Sequence, residues 1–543
     1  MNRTRPRVRM RAARPLGLAI ATLLLVLPGA VAHATTPAKP LTDSELTQIQ
    51  SLMATPPFDL AVWGMSVSDL DTGKVLYEQN ADSLFYTAST TKNFTSAATL
   101  DRLGKNHRFR TPVVRLGDVS ASGTLRGRLA LVASGDLTMG GRALPNGGVA
   151  YTGFDHMDAN EVPGHATLTP QNPLAGLDSL ARQVRRSGVK RVAGDVVIDD
   201  RLWRARMVGH EVVSPIVIND NAIDITMRPG KVGGPVRAQT RPSSAAYDID
   251  VRVKTVGQDD PTDVVVHEAH GHTVRVTGTL AAGSKPFVQI FRVPDPAYFA
   301  RSLFVDALRR AGVRVDAPTV APNRAGRLPA RGTVAGGPRL ARLISPRLSE
   351  FVKLIQKVSH NLGANTVPFW LSAQKGRSSL GRGMRMIRDY ARQAGVPADQ
   401  FELVDGQGGP GNRISPGAMV TLLRYVQGQK YAKAFYDALP IKGVDGIPMD
   451  PELDPATGHV VQKNGVNGAE DAEGRLEVQS MALAGYVTAG ERRLAFDVVV
   501  NHVPIFGPDG QHSEDPAALV AAFTRFEPLE AITSLLYTSQ LDG

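Results

Sequence analysis

The sequence predicts an α/β (α+β) domain that is interrupted by inserted β-rich domains. Helical periodicity and long apolar strands occur before residue 109 and again after about residue 340. Between these points the texture changes to short strands separated by frequent Gly, Pro and Asn. The simplest interpretation is one discontinuous domain with others inserted in its middle. We expect residues 35–108 with 340–543 as the first domain, 109–212 with 288–339 as the second, and 213–287 as a third, β-rich domain.

Length and composition allow several globular domains and exclude some kinds of chemistry. At 543 residues the chain has room for roughly two to four domains, and its apolar (42%) and charged (21%) fractions are those of a folded protein. There is no cysteine, which excludes disulfides, thiolate nucleophiles and cysteine-ligated metals. We expect no cofactor and no metal ion.

The first 34 residues have the form of a secretory signal peptide. An apolar run at 16–27 precedes the small-x-small site Ala32-His33-Ala34, so we expect cleavage after Ala34. That run is too short for a good spanning helix, and no later segment qualifies as one. We therefore expect an exported protein, in the periplasm or at the envelope exterior, with no transmembrane anchor after cleavage. The basic segment before the run contains Arg3, Arg5, Arg7, Arg9, Arg11 and Arg14.

The charge of the chain gives no support to nucleic-acid binding. The formal net charge is +11, but six of these charges are the leader arginines, and no acid precedes residue 35. The remaining charge of about +5 is mild and scattered, whereas nucleic-acid binding requires a basic patch. Such a charge could suit an anionic cell-wall surface.

Capping and turn signals define the N-terminal elements. Thr42-Asp-Ser-Glu45 is a capping box that opens a short helix through residue 52. Residues 62–70 and 74–77 are expected to be strands around the hairpin turn Asp71-Thr-Gly73. An apolar stripe after residue 89 predicts a helix that ends at Gly104.

Periodicity and stop signals define the later elements. In the inserted block we expect strands at 129–133, 192–198, 213–240 and 247–279, and helices at 173–187 and 295–311, the latter ending at Gly312. Residues 321–339 form a Gly/Arg/Pro-rich linker. Beyond it we expect helices at 348–358, 362–374 and 381–394, strands at 459–463, 476–487 and 494–501, and a helix within 516–537.

The stretch 86–95 brings a serine and a lysine together. Ser89 and Lys92 are three residues apart, so at the start of a helix their side chains share one face. A serine hydroxyl becomes a good nucleophile only when a base takes its proton. A lysine can be that base if burial or cationic neighbours lower its pKa. Backbone N–H groups of the first helical turn could hold an oxyanion.

Other matches to reactive patterns are interpreted as structural. Two further Ser-x-x-Lys matches occur. In Ser187-Gly-Val-Lys190 we expect the end of a helix with a solvated lysine, and in Ser372-Ala-Gln-Lys375 we expect a serine on the surface. His267-Glu-Ala-His-Gly-His272 looks like a metal cluster but lacks the His-Glu-x-x-His spacing of a zinc helix. We expect its histidines to be exposed turn residues.

Two further motifs could line a cleft with the Ser89 stretch. Ser359-His-Asn361 lies between two predicted helices, where residues i and i+2 of an extended turn would point the same way. A hydroxyl there could relay a proton and an amide could hold a peptide group. Lys463-Asn-Gly465 ends a predicted strand before a tight turn, and its lysine could face a carboxylate. Each motif alone is weak, since Lys231-Val-Gly233 also fits Lys-x-Gly.

In the order Ser-x-x-Lys, Ser-x-Asn and Lys-x-Gly, the motifs resemble the signature of penicillin-binding proteins. More closely, the chain resembles the D-alanyl-D-alanine carboxypeptidase/endopeptidase family, the class C low-molecular-mass penicillin-binding proteins. That family carries a large insertion between the first two motifs, as the block at about 109–340 would be. The resemblance implies a serine DD-peptidase or β-lactamase-like catalytic domain. It covers essentially the whole mature chain and includes the phrases Ser89-Thr-Thr-Lys-Asn-Phe-Thr95, Gly194-Asp-Val-Val-Ile-Asp199, Ile218-Asn-Asp-Asn221 and Ala484-Gly-Tyr-Val487.

The resemblance implies a role for each matching side chain. Ser89 would attack the D-Ala–D-Ala carbonyl and become acylated, with Lys92 as its base. Ser359 would pass a proton towards the leaving group, helped by the charge of Lys463. Asn361 would hold the amide of the substrate.

The resemblance also implies substrate contacts that depart from the family pattern. The oxyanion hole would be the backbone N–H groups of Ser89 and Val466, and Asn464 and Gly465 would bind substrate. Asn464 replaces a threonine whose hydroxyl usually meets the carboxylate of substrate or β-lactam. An amide can also donate there, but losing one charge-assisted bond costs about 1.5–3 kcal/mol, roughly ten- to a hundredfold in affinity or rate. Thr87 replaces a usual proline, and the family's Asp-Gly-Ser-Gly-Leu appears as Asp405-Gly-Gln-Gly-Gly409.

Three hypotheses of function follow. The first is a serine-type D-Ala-D-Ala carboxypeptidase or endopeptidase that acts on peptidoglycan peptides through an acyl-enzyme on Ser89 and is inhibited by β-lactam antibiotics. The second is a peptidoglycan-binding protein with weak or lost turnover, of which Asn464 would be the symptom. The third is a serine β-lactamase, which the extra β-rich block and the missing deacylating-glutamate motif disfavour. The intact polar motifs favour the first, and a homo-oligomer is left open.

Overall fold

The computed structural model describes residues 36–541 except 269, 374, 375, 377, 447–453, 471, 472, 508 and 524. The predicted signal peptide at 1–34 lies outside the described residues, and so does Lys375. From Pro37 onward the described chain forms one compact unit. Within the described ranges, no helix combines the length and the apolar character needed to cross a membrane. The boundaries of the three domains stay predictions.

Eleven α-helices occur in the described part of the chain. They are α1 (Asp43–Met53), α2 (Lys92–Leu103), α3 (Ala175–Arg186), α4 (Pro296–Arg310), α5 (Leu348–Lys357), α6 (Asn361–Ala373), α7 (Leu380–Gln393), α8 (Pro416–Gln427), α9 (Ala432–Tyr436), α10 (Pro516–Ala522) and α11 (Glu527–Thr538). Two short 3-10 turns, Ala88–Thr91 and Asn219–Asn221, bear on the site described below.

Twenty-two strands occur in the same described ranges. They are β1 (Val62–Asp69), β2 (Val75–Gln79), β3 (Phe85–Tyr86), β4 (Arg110–Val119), β5 (Thr124–Val132), β6 (Arg191–Val192), β7 (Val196–Asp199), β8 (Arg206–Val208), β9 (Glu211–Val213), β10 (Ala222–Arg228), β11 (Arg237–Arg241), β12 (Asp248–Val256), β13 (Asp263–Val266), β14 (Thr273–Ala281), β15 (Phe287–Arg292), β16 (Arg314–Val315), β17 (Arg339–Ile344), β18 (Phe401–Glu402), β19 (Arg413–Ile414), β20 (Val460–Glu470), β21 (Leu476–Ala489) and β22 (Arg492–Pro504).

A five-stranded antiparallel sheet joins the two ends of the chain. Its order is β2-β1-β22-β21-β20, so the early strand β1 pairs with the late strand β22. Apolar side chains of α1 and α11 cover one face of the sheet, and the helical cluster built on α2, α5, α6, α7 and α8 lies on the other. The sheet is thus buried on both sides, which confirms the predicted α/β texture.

The segment between α2 and α5 is rich in β-structure, as predicted. Its largest sheet has the order β16-β6-β5-β4-β17, with β7 also paired to β5. Two three-stranded sheets follow, β11-β10-β15 and β12-β14-β13. The strand β17 was not expected, because its Arg-rich sequence follows a Gly/Arg/Pro-rich linker. It forms because β4 offers it an edge to pair with.

Local signals located α1 to α7 to within a few residues, whereas α8 was not expected. The capping box at Thr42 is present, with Thr42 N donating to Glu45 Oε2 at 2.7 Å. Gly104 and Gly312 end their helices in the left-handed region, at φ 81° and 79°. The interpretation of Ser372 as a surface residue is wrong, since it is buried and its Oγ donates to Pro368 O at 2.7 Å. Ser372 lies in the last turn of α6, and this part of the helix is buried, so the serine is buried with it.

Two buried aspartates of the central sheet have opposite surroundings. Asp69 on β1 accepts backbone hydrogen bonds from Ala38, Asp71 and Thr72 at 2.7–2.8 Å. Burial raises its pKa, but these donors outweigh burial and lower the pKa overall. Asp497 on β22 is fully buried, and neither of its carboxyl oxygens has a hydrogen-bond partner among the described residues. Burial alone therefore raises the pKa of Asp497 well above its usual range.

The two aspartates predict opposite pH effects on stability. The folded state keeps a proton on Asp497 after the unfolded chain has lost it, so this group costs stability as pH rises above about 4. Asp497→Asn should therefore raise Tm more at pH 7 than at pH 4. Asp69→Asn, the matched control, should lower Tm more at pH 7, because the charged form of Asp69 is the stabilised one. Thermal unfolding followed by circular dichroism gives the Tm of each variant at both pH values. If the Tm changes of the two variants, relative to wild type, depended on pH in the same direction, the prediction would be contradicted.

Candidate active site

The Ser89 turn lies at the start of α2, where the predicted stacking occurs. The chain forms a 3-10 turn over Ala88–Thr91 and continues into α2 at Lys92. Ala88 adopts φ 44°, a left-handed conformation that is unusual for a residue with a Cβ. Lys92 Nζ lies 2.6 Å from Ser89 Oγ. The amine and the hydroxyl are thus in direct hydrogen-bond contact.

Lys92 Nζ is the point where three distant segments meet. Besides Ser89 Oγ, it lies 2.8 Å from Asn361 Oδ1, 3.0 Å from the carbonyl oxygen of Gln407 and 3.2 Å from Ser359 Oγ. The first two predicted motifs are therefore brought together around one nitrogen atom. None of these four contacts is a carboxylate.

Burial lowers the pKa of the Lys92 amine. The side chain is fully buried, and burial lowers its pKa to about 7, although the nearby carboxyl groups of Asp405, Asp158 and Glu211 act to raise it. A lysine with this pKa is partly neutral at physiological pH and can accept a proton from a hydroxyl. Of the two hydroxyl groups in contact with the amine, that of Ser89 is the nearer, at 2.6 Å against 3.2 Å for Ser359.

The Ser359–Asn361 turn differs from the predicted one. It is not extended: Ser359 adopts φ 56°, and Asn361 is already the first residue of α6. The left-handed residue turns the chain sharply between α5 and α6. As a result the hydroxyl of Ser359 and the amide oxygen of Asn361 both reach Lys92.

The Lys463-Asn-Gly465 motif lies inside a strand and not before a tight turn. It occupies the middle of the eleven-residue β20, at the edge of the central sheet. A Cβ on Gly465 would lie 2.6 Å from the carbonyl oxygen of Thr87 and 2.9 Å from the backbone nitrogen of Ser89. The glycine is thus required for the close approach of β20 to the Ser89 turn. Val466 follows directly on this edge strand.

Lys463 is buried next to the site but is not hydrogen-bonded to its hydroxyl groups. Within the described ranges its Nζ contacts its own neighbour, Asn464, at 2.6 Å to the carbonyl oxygen and 2.9 Å to Oδ1. Burial, followed by the positive charge of Lys92, lowers the pKa of Lys463 well below its usual range. A carboxylate brought beside it would raise that pKa again.

One wall of the site was missed by sequence reasoning. Asp405 Oδ1 accepts backbone hydrogen bonds from Gln407, Gly408 and Gly409 at 3.0, 2.8 and 3.2 Å. This tight loop directs the carbonyl oxygen of Gln407 at Lys92. The Asp-Gly-x-Gly-Gly pattern signals a tight turn, but a backbone carbonyl carries no residue-type signal of its role.

A buried ionic cluster lies behind the site. Asp155, Asp220 and His360 bring possible ligand atoms within 4.8 Å of one another, a spacing that could suit a metal ion. However, the guanidinium of Arg142 lies 2.7 Å from Asp155 and 2.6 Å from Asp220 and already supplies positive charge there. The histidines of the 267–272 stretch are exposed, as expected. The absence of a metal requirement stays a prediction.

Sequence comparison relates this site to known peptidases. The model of the D-Ala-D-Ala carboxypeptidase 3 (S13) family matches residues 46–523. The D-alanyl-D-alanine carboxypeptidase of Actinomadura sp. (strain R39) is 28% identical over 480 residues, which cover 83% of this chain and 80% of that protein. The D-alanyl-D-alanine carboxypeptidase DacB of Haemophilus influenzae is 22% identical over 405 residues, covering 70% and 74% of the two chains.

Solved structures show the same fold. Penicillin-binding protein 4 (dacB) from Haemophilus influenzae, complexed with a β-lactam, is similar with a TM-score of 0.62 at 20% identity. The match covers 90% of this chain and 99% of that one. The predicted fold class and the resemblance to penicillin-binding proteins are thereby confirmed. Because the family match spans most of its length, the chain belongs to the D-Ala-D-Ala carboxypeptidase 3 (S13) family of peptidases.

Proposed function

We propose that this protein is a serine-type D-Ala-D-Ala carboxypeptidase or DD-endopeptidase that forms an acyl-enzyme on Ser89. The observation that carries the proposal is the 2.6 Å contact between Ser89 Oγ and Lys92 Nζ, in a pocket that lowers the pKa of the lysine to about 7. A nucleophile paired with a base that is partly neutral at working pH is the arrangement that acyl transfer requires.

The acylation step uses the groups around Lys92. Neutral Lys92 takes the proton of Ser89, whose oxygen attacks the carbonyl carbon of the penultimate D-alanine. Backbone N–H groups of Ser89 and Val466 stabilise the oxyanion. The C–N bond then breaks, and the proton reaches the leaving nitrogen from Lys92 through Ser359, which lies 3.2 Å from Nζ. Asn361 holds the amide of the acyl side.

Deacylation completes the cycle with water as the second reactant. Water gives one proton to the base, adds to the ester carbonyl and releases Ser89 with its hydroxyl restored. In a carboxypeptidase the first product is D-alanine, whereas in an endopeptidase it is the stem peptide whose amine had formed the cross-link. Both use the same acylation chemistry, so the residues of the site support either one.

The terminal carboxylate of the substrate is assigned to Lys463 and Asn464. Asn464 Oδ1 accepts from Lys463 Nζ at 2.9 Å, which turns its NH2 donor away from the lysine. A bound carboxylate would favour the ammonium form of Lys463 and accept from it. Loss of the family's threonine weakens this contact, so a peptidoglycan-binding protein with slow turnover is the second candidate function.

The same proposal includes partners and location. Peptidoglycan stem peptides are the substrates, and β-lactam antibiotics are inhibitors that acylate Ser89. The β-lactam bound to the Haemophilus influenzae relative supports this assignment. Export to the periplasm or the envelope exterior follows from the predicted signal peptide, and a homo-oligomer stays a prediction.

The first prediction of this proposal tests the nucleophile. The mature chain, from residue 35, should gain the mass of one penicillin molecule after incubation with a fluorescent penicillin, because the acyl-enzyme is stable to water. Ser89→Ala should gain none, as measured by intact mass spectrometry and gel fluorescence. Absence of an adduct in folded wild-type protein would contradict penicillin binding. In that case Asn464→Thr should be tested for labelling. Labelling of this variant would indicate altered specificity in the wild type, whereas no labelling would indicate an inactive site.

The second prediction concerns pH. The rate constant of acylation should rise between pH 6 and pH 8, because the neutral fraction of a lysine with pKa about 7 grows from about one-tenth to about nine-tenths over that range. Stopped reactions with fluorescent penicillin measure the rate, and circular dichroism at each pH controls for unfolding. A rate that falls or stays level across this window would exclude Lys92 as the base.

The third prediction tests the approach of β20 to the Ser89 turn. In Gly465→Ala the new methyl would collide with backbone atoms of Thr87 and Ser89, so the acylation rate should fall at least about tenfold. Gly468→Ala is the matched control on the same strand, because its methyl would meet only movable side-chain atoms of Leu519 and Phe523. Equal rates in the two variants would overturn the argument.

A further inference from the structure

His360 lies between two partners of Lys92 but makes its own contacts away from the reacting atoms. Its side chain is buried, and its Nδ1 accepts from the backbone N–H of Gly363 at 3.0 Å. A neutral ring that accepts at Nδ1 carries its hydrogen on Nε2. That nitrogen lies 3.3 Å from Asp220 Oδ1, which is ion-pair distance without hydrogen-bond geometry, and neither atom has a hydrogen-bond partner among the described residues. His360 therefore joins the first turn of α6 to a residue 140 positions earlier in the chain.

Asp220 is itself held firmly. Arg142 Nη2 and His156 Nε2 lie 2.6 and 2.8 Å from its Oδ2, and both partners are buried. Arg142 also donates to Asp155 at 2.7 Å, and His156 lies 2.5 Å from Asp224 through Nδ1. Arg142 also reaches Oδ2 of Asp220 through Nε at 3.1 Å, so it would still hold Asp220 in place if His156 were removed.

Left-handed backbone occurs at Asp220 and at Ser359, the residue before His360. Asn219, Asp220 and Asn221 adopt φ 50°, 53° and 57°, and Ser359 adopts φ 56°. Non-glycine residues hold this conformation only when their surroundings enforce it. The contact is a polar link from the ionic network of the β-rich segment to the Ser359–Asn361 turn.

We propose that Asp220 and His360 form a positioning pair through which the β-rich segment holds Ser359 and Asn361 against Lys92. The segment between α2 and α5 would then be part of the catalytic apparatus and more than an appended module. His360 touches no reacting atom and is a positioning residue. This inference rests on the proposed acyl transfer at Ser89.

The test compares three variants in the full mature chain. His360→Ala removes both ring contacts, while His360→Asn keeps one acceptor and one donor. His156→Ala is the matched control, because it removes another histidine from Asp220 without touching the turn. Each variant is measured for the acylation rate with fluorescent penicillin, for Tm, and for hydrogen exchange in peptides covering residues 357–363.

We expect a change in His360→Ala that a general loss of stability would not produce. Its acylation rate should fall roughly 10- to 100-fold, as expected when reacting groups shift by about 1 Å. Exchange at 357–363 should be faster, whereas His360→Asn should restore most of the rate. His156→Ala should lower Tm but keep the rate within about threefold of wild type and leave exchange at 357–363 unchanged.

The outcomes separate this inference from the proposed function. If His360→Ala acylates as fast as wild type, or if His156→Ala slows acylation equally, the positioning role is overturned. If wild-type protein forms no adduct, the proposed function fails, but hydrogen exchange still decides whether His360 holds the turn. Unchanged exchange in folded His360→Ala would overturn the inference in that case as well.

Discussion

The site depends on one buried amine with no carboxylate in contact. Lys92 Nζ is surrounded by two hydroxyl oxygens, an amide oxygen and a backbone carbonyl oxygen, all within 3.2 Å. Such dipoles accept hydrogen bonds without the full charge that would stabilise an ammonium ion. Burial therefore dominates, and the pKa falls to about 7. Asp405 accepts hydrogen bonds from backbone N–H groups of its own loop, and this loop contacts Lys92 Nζ through the carbonyl oxygen of Gln407.

Close backbone approaches assemble this environment. Gly465 lets the edge strand β20 pass the Ser89 turn, and a Cβ on Gly408 would lie 1.8 Å from the carbonyl oxygen of Ala88. Left-handed residues make the remaining corners, at Ala88 and Ser359. Each such position is unfavourable in isolation and is tolerated because the surrounding core, built on α2, α5 and α6, packs densely around it. The groups around Lys92 Nζ are therefore positioned by several locally unfavourable backbone conformations and close contacts, which the surrounding core stabilises.

The β-rich segment between α2 and α5 is compatible with this precision because its two ends lie side by side. Phe109 and Ser345 are joined by hydrogen bonds in both directions, with Phe109 N donating to Ser345 Oγ at 2.9 Å and Ser345 N donating to Phe109 O at 3.0 Å. Beyond them β4 and β17 pair as neighbouring strands. This pairing holds the two ends of the β-rich segment together whatever its length, so α2 and α5 can pack against each other.

The sequence by itself determined the elements whose signals are local. It predicted the capping box at Thr42, the helix that ends at Gly104, the shared face of Ser89 and Lys92, and the strands at 476–487 and 494–501. Only the tertiary structure decided the left-handed turn at Ser359, the interior position of Gly465, the burial of Ser372 and the wall formed by Gln407. The physical reason is that hydrophobic periodicity and capping report contacts within one element. Backbone carbonyls and contacts between residues hundreds of positions apart leave no such trace, so they emerge only when the chain is folded.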